Sequence, residues 1–130
     1  MSRILLIEPD ALVARNIIKL AQKASHSVDW TIDAQTAIDL ADEHRPDAVI
    51  LELLLAGRSG VEFLYEFRSY PEWQNTPVII YSNLSEQELP VKSGCYRELS
   101  IARYFYKPVA SLSHIIDEVS WLAHPALAEK

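Results

Sequence analysis

The chain has 130 residues, 49% of them hydrophobic, and a formal net charge of −6. That length fits one compact domain, and the apolar share supplies a core and excludes a disordered chain. Acidic and basic residues are interspersed without a Lys/Arg-rich run, which argues against nucleic-acid and anionic-membrane partners, and the single cysteine, Cys95, excludes an internal disulfide and a cysteine-based metal site and fits a reducing, cytoplasmic setting.

The N-terminal residues run into an apolar stretch too short for a signal peptide or a membrane span. Ile4 to Ile7 is a short run of branched apolar residues, as expected of a strand buried on both faces. Glu8-Pro9-Asp10 breaks it, and Asp10 stands where a helix N-cap belongs. Val13, Ile17, Leu20 and Ala24 then recur at helical spacing, which predicts a first helix to about Ser25. Val28 to Ile32 reads as a second strand. Asp33 can cap a second helix striped by Ala34, Ala37, Ile38 and Ala41, and Pro46 ends it.

Ala48 to Leu53 is the most apolar segment and predicts a third strand, interrupted by Glu52. Ala56 to Gly60 reads as a loop, and Val61, Leu64 and Phe67 mark a third helix. Tyr70 to Thr76 is a polar connection. Pro77 opens a fourth strand, Val78 to Tyr81, ending in Ser82-Asn83. Val91, Cys95 and Leu99 keep a four-residue spacing, although Pro90 and Gly94 weaken a helix there. Tyr104 to Tyr106 predicts a fifth strand, stopped by Lys107-Pro108. Leu112, Ile115, Ile116, Val119 and Leu122 define a final helix. The chain thus reads as one domain over 1–124 with a short frayed tail over 125–130.

Five βα units in succession favour an α/β fold, a five-stranded parallel sheet with helices on both faces and right-handed crossovers. The functional crevice of such folds lies beyond the C-terminal ends of the strands. Glu8 and Asp10, Glu52, Ser82 and Lys107 all fall at those ends, so distant residues are expected to converge on one edge.

Four segments carry a family resemblance: Ile4 to Asp10, Asp47 to Gly60, Pro77 to Ser82 and Tyr104 to Pro108. In this order the sequence resembles a bacterial response-regulator receiver domain, from about Arg3 to Leu122, with the flavodoxin-like (βα)5 fold. The resemblance implies that position 52 is the phosphoacceptor, normally aspartate. It implies that two acids after the first strand help hold Mg²⁺, and that Ser82 and Lys107 contact the phosphoryl oxygens. It also implies that an aromatic at Tyr104 changes rotamer on activation. Phosphoryl transfer needs positioning and neutralisation of spread negative charge, supplied by Mg²⁺ and a cation.

The sequence departs from the pattern where that chemistry happens. Glu52 moves the carboxylate out by one methylene, and a displacement of about 1 Å costs roughly 10²-fold in rate. Pro9 stands where the family has its principal metal-binding acid, Asp10 is shifted by one residue, Ala56 replaces the usual loop proline, and Asn83 follows Ser82 where a small residue is usual. The expectation is a pseudo-receiver: not an enzyme, not phosphorylatable, without cofactor or resident metal, signalling through protein contacts. The alternative keeps Mg²⁺-dependent phosphotransfer or switching, with a weak cation site at Glu8, Asp10 and Glu52. Glu52 has two open readings, a buried partner of Lys107 or a built-in mimic of the active state. A cofactor-binding flavodoxin is disfavoured, because the acidic Glu8-Pro9-Asp10 turn has no glycine with which to cradle a phosphate.

The resemblance places the contact surface on the fourth helical stretch, the fifth strand and the last helix, through Tyr96, Arg97, Arg103, Tyr104, Ser113 and Asp117. A homodimer through that face and an unidentified signalling protein are the expected partners. His26, His44, His114 and His124 lack ligand spacing and read as surface residues. Trp30, Trp73 and Trp121 read as packing residues, with exposure an open alternative for Trp73 because it lies in a polar loop.

Overall fold

The computed structural model describes residues 2–88 and 99–123. Strands β1 (Arg3–Ile7), β2 (Ser27–Thr31), β3 (Ala48–Leu51), β4 (Val78–Ser82) and β5 (Ile101–Tyr106) form one parallel sheet in the order β2-β1-β3-β4-β5. Helices α1 (Ala11–Lys23), α2 (Ala34–Glu43), α3 (Gly60–Ser69) and α4 (Leu112–Ala123) cover it. The expected parallel α/β fold is therefore present. The fourth helical stretch, with Tyr96 and Arg97, and the tail over 125–130 lie outside the described residues.

Strict alternation along the strands builds two cores. Leu5, Ile7, Val49, Leu51, Val78 and Ile80 face α2 and α3, where Phe63, Leu64 and Phe67 pack. Ile4, Leu6, Ala48, Ile50, Ile79 and Tyr81 face α1 and α4, where Ile17, Ile115 and Val119 pack. Burial on both faces explains why these strands read as continuous apolar runs.

Local chemistry fixes the helix starts. Asp10 caps α1, its Oδ1 accepting from the amides of Leu12 at 2.9 Å and Val13 at 3.3 Å. Asp33 accepts from the Thr36 amide at 2.8 Å, and Ser59 from Glu62 at 3.2 Å. Each satisfies an amide that the first turn leaves without a partner. Helix α1 stops at Lys23, short of the expected end, and the chain turns out through Ser25 at φ 67. Gly60 opens α3 against the end of β3. A Cβ there would lie 2.7 Å from Leu53 Cα and 2.9 Å from the Glu52 carbonyl oxygen.

Trp73 packs as expected: the connection after α3 contains a 3-10 turn, Pro71–Trp73, and the buried indole stacks on Phe67 with ring centroids 4.9 Å apart. Three other expectations need correction. His26 is buried rather than on the surface, with Nε2 2.9 Å from Ser120 Oγ on α4. Strand β3 ends at Leu51, so Glu52 begins the following loop. Strand β5 starts three residues earlier than expected because the Arg68 guanidinium fixes the chain just before it. Arg68 donates to the carbonyls of Trp73 at 2.6 Å, Leu99 at 2.8 Å and Ser100 at 3.1 Å.

Candidate functional site

The strand order reverses between β1 and β3, and a crevice opens there beyond the strand ends. Ile7 and Leu51 are register partners, so Glu8 and Glu52 leave the sheet side by side. Ser82 ends β4 opposite Tyr106, and the Lys107 amide donates to the Ser82 carbonyl at 2.8 Å, which brings Lys107 into the same crevice. The pocket has a cavity volume of about 460 Å³ and is lined by Glu8, Pro9, Asp10, Val13, Glu52, Leu54, Tyr81, Asn83, Lys107 and Pro108.

The Lys107 ammonium lies 2.8 Å from Glu8 Oε1 and 2.8 Å from Glu52 Oε1. The expected pairing with Glu52 is present, and Glu8 shares the same cation. These side chains are 10%, 2% and 1% exposed for Lys107, Glu8 and Glu52 respectively. Every remaining oxygen of the two carboxylates has a donor. Glu8 Oε2 accepts from the Asp10 amide at 3.0 Å. Glu52 Oε2 accepts from the Ser82 hydroxyl and from the Leu54 amide at 3.0 Å, and Glu52 Oε1 from the Asn83 amide at 3.2 Å.

Electrostatics separates the two glutamates. Burial pushes the Glu8 carboxyl above its ordinary value, and the Lys107 and Asp10 contacts only partly offset that rise. Burial acts on Glu52 in the same direction, but the hydrogen bonds from Lys107 and Ser82 outweigh it and hold Glu52 below its ordinary value. Burial works against the Lys107 charge, and its bonds to Glu52 and Glu8 prevail, raising its pKa.

A hydrogen-bonded chain leads out of the pocket. The Leu84 amide donates to Ser82 Oγ at 3.0 Å, and the Tyr104 hydroxyl donates to the Leu84 carbonyl at 2.6 Å. Tyr104 is half-buried, and burial with the nearby Glu52 charge pushes its hydroxyl up to about 12. The chain therefore runs from Glu52 through Ser82 and Leu84 to β5.

The residues do not fit a resident Mg²⁺. The ion takes oxygen ligands in octahedral geometry. Pro9 offers no side-chain oxygen, Asp10 is turned to cap α1, and both oxygens of Glu8 are engaged. Among the described residues no group of three His, Cys, Asp or Glu is arranged to hold a metal. Two neighbours were missed in the sequence. Tyr81 presents its ring to Lys107, with Nζ 5.5 Å from the centroid, within cation–π range. Trp30 donates its indole N–H to the Glu8 carbonyl at 2.8 Å and steadies the end of β1. Tyr81 was legible as the apolar neighbour of Ser82, whereas no sequence signal marked Trp30.

This crevice, with acids from two adjacent strands and a lysine and a serine from the next two, defines a CheY-like signalling domain. The sequence matches the response regulator receiver domain family over residues 4–120, and the chain belongs to that family. It is 29% identical to protein Rrf1 of Nitratidesulfovibrio vulgaris, over 72% of this chain and 67% of that protein. It is 35% identical to the transcriptional regulatory protein QseB of Haemophilus influenzae, over 71% of this chain. The chain spans 42% of QseB and 54% of the transcriptional regulatory protein PdtaR of Mycobacterium tuberculosis. Similar solved structures include a sensor protein from Polaromonas (TM-score 0.84, 21% identity, 95% of this chain and 97% of that one). The Francisella response regulator 1452 receiver domain gives a TM-score of 0.82 at 21% identity, over 97% of this chain and 99% of that one.

Proposed function

We propose that this receiver domain is a phosphorylation-independent interaction module of two-component signalling, a cytoplasmic pseudo-receiver that uses neither Mg²⁺ nor a phosphoryl group. One observation carries the reading: the Lys107 ammonium and the Ser82 hydroxyl are both bound to Glu52. These are the two groups that the family resemblance assigns to the phosphoryl oxygens. Glu52 supplies a permanent anion in their place, and the chain of bonds to Tyr104 supports a mimic of the signalling state rather than a mere filler. A partner, or a second copy, then reads the face of β5 and α4, which includes Tyr104, Ser113 and Asp117.

The test is intact mass after incubation with acetyl phosphate and Mg²⁺. The expected mass is unchanged. An acid-labile gain of one phosphoryl group, lost in Glu52→Gln, would establish the phosphotransfer alternative instead.

A further inference from the structure

The sheet has a second opening, at the end opposite the crevice. The loops that leave α2 and α3 run into the neighbouring strands β3 and β4, and between them lies a pocket of about 490 Å³ lined by Arg45, Asp47, Glu72 and Thr76. Pro46, Pro71 and Pro77 add to its wall and stiffen both loops. None of the residues to which the family resemblance gives a role lies here.

Three polar side chains of this pocket have bonding capacity that the fold does not use. Arg45 donates through Nη2 to the Glu72 carbonyl at 3.1 Å, which ties the guanidinium across the two loops, and among the described residues it pairs with no carboxylate. A guanidinium carries five N–H donors, so most of the fork is open. Asp47 Oδ2 accepts from the Arg3 amide at 2.8 Å, and its other oxygen accepts no hydrogen bond among the described residues. Thr76 is 9% exposed, and its hydroxyl makes no hydrogen bond among them. Buried hydroxyls are normally paired, so one left open on a pocket wall marks a place where a bound molecule completes the bonding.

We infer that this pocket binds a free α-amino acid, with its carboxylate on the Arg45 fork and the Thr76 hydroxyl and its ammonium on Asp47 and Glu72. The charge pattern selects a zwitterion. Arginine grips a carboxylate with two parallel hydrogen bonds. A phosphate or other dianion would meet two acids against one cation. A bare cation would meet Arg45, and among the described residues no group of three His, Cys, Asp or Glu is arranged to hold a metal. A nucleotide would want an aromatic face, and the indole of the same loop, Trp73, is buried on Phe67. The volume falls in the range of about 300–1,000 Å³ usual for small-molecule sites. The site lies at the far end of the sheet from Glu52, so amino-acid binding there does not depend on whether this chain accepts a phosphoryl group.

The full chain, isotope-labelled, is titrated with a panel of free L-amino acids, and with acetate, ethylamine and inorganic phosphate as probes of a single charge sign. Saturable amide shifts in the loops over 44–47 and 70–76 are expected with at least one amino acid, which should bind at least about fivefold more tightly than any single-sign probe. Arg45→Gln, Asp47→Asn and Thr76→Val should each weaken binding at least about fivefold with little change in melting. Arg45 and Asp47 are exposed, Asp47→Asn keeps an acceptor for the Arg3 amide, and Thr76→Val keeps the shape of the side chain. No saturable shift with any amino acid, shifts confined to other parts of the molecule, or equal binding of acetate, ethylamine or phosphate overturns the proposal. So does wild-type affinity in any of the three variants.

Discussion

Replacing Lys107 by methionine tests whether the ion-pair network governs the pocket. The substitution keeps the length of the stem and removes the charge, leaving Glu8 and Glu52 facing one another while 2% and 1% exposed. Removing one member of a buried ion pair typically costs about 3–5 kcal/mol, because the remaining charge is stranded. Here two carboxylates are stranded, so one is expected to take up a proton and limit the loss to about that range. The sign of the pH dependence follows. Loss of Lys107 removes the strongest bond that lowers each carboxyl and leaves burial, which raises both, so the Glu8 carboxyl is expected to rise further above its ordinary 4.5 and Glu52 to rise with it. The folded state then binds protons more tightly than the unfolded chain, and its stability falls as pH rises from that value through the raised one. Urea unfolding of wild type and Lys107→Met at pH 5 and pH 8 measures this. With a slope of about 1–3 kcal/mol per molar urea, the midpoint should drop by about 1–5 M at pH 8 and by less at pH 5. A loss under about 1 kcal/mol, equal at both pH values, would refute the reasoning.

Glu52→Asp with Pro9→Asp should gain Mg²⁺-dependent thermal stabilisation that neither single variant nor wild type shows, because Ser82 and Lys107 are already in place; differential scanning fluorimetry with and without Mg²⁺ decides it. The double variant should also melt lower without metal, since the added carboxylate joins Glu8 and Asp10. Gly60→Ala should destabilise by about 1–3 kcal/mol despite alanine's better helix propensity, because the new Cβ meets the backbone of Glu52 and Leu53; denaturant unfolding reads the loss. Arg68→Ala removes three donors to the carbonyls of Trp73, Leu99 and Ser100, at a cost of about 2–4 kcal/mol, with faster hydrogen exchange at the start of β5.

The strands were legible because burial on both faces writes them as unbroken apolar runs, and the starts of α1 and α2 because Asp10 and Asp33 are capping residues at the right place, whereas the Ser59 cap of α3 was hidden in a stretch that read as loop. Convergence of Glu8, Glu52, Ser82 and Lys107 followed from topology alone, since parallel strands end on one edge. Long-range contacts were not legible. Trp73 sits in a polar stretch, and only the stacking surface of Phe67 draws it inward. His26 lies in a short turn, and Ser120, its partner, is nearly a hundred residues away. The sequence left Glu52 or Glu8 as the partner of Lys107, and that it binds both was hidden, since spacing does not say how one ammonium divides itself between two acids.

Lys107 held at 2.8 Å by two glutamates has a consequence for timing. A receiver that gains and loses a phosphoryl group has a clock set by kinase and phosphatase rates. On the reading proposed above, the anion here is encoded in the gene and is present from the moment the chain folds. It has no lifetime of its own, and no enzyme can erase it. The response time of such a domain is then that of its synthesis and degradation, or of its partner's arrival. Its output scales with how many copies the cell holds rather than with the fraction that is modified.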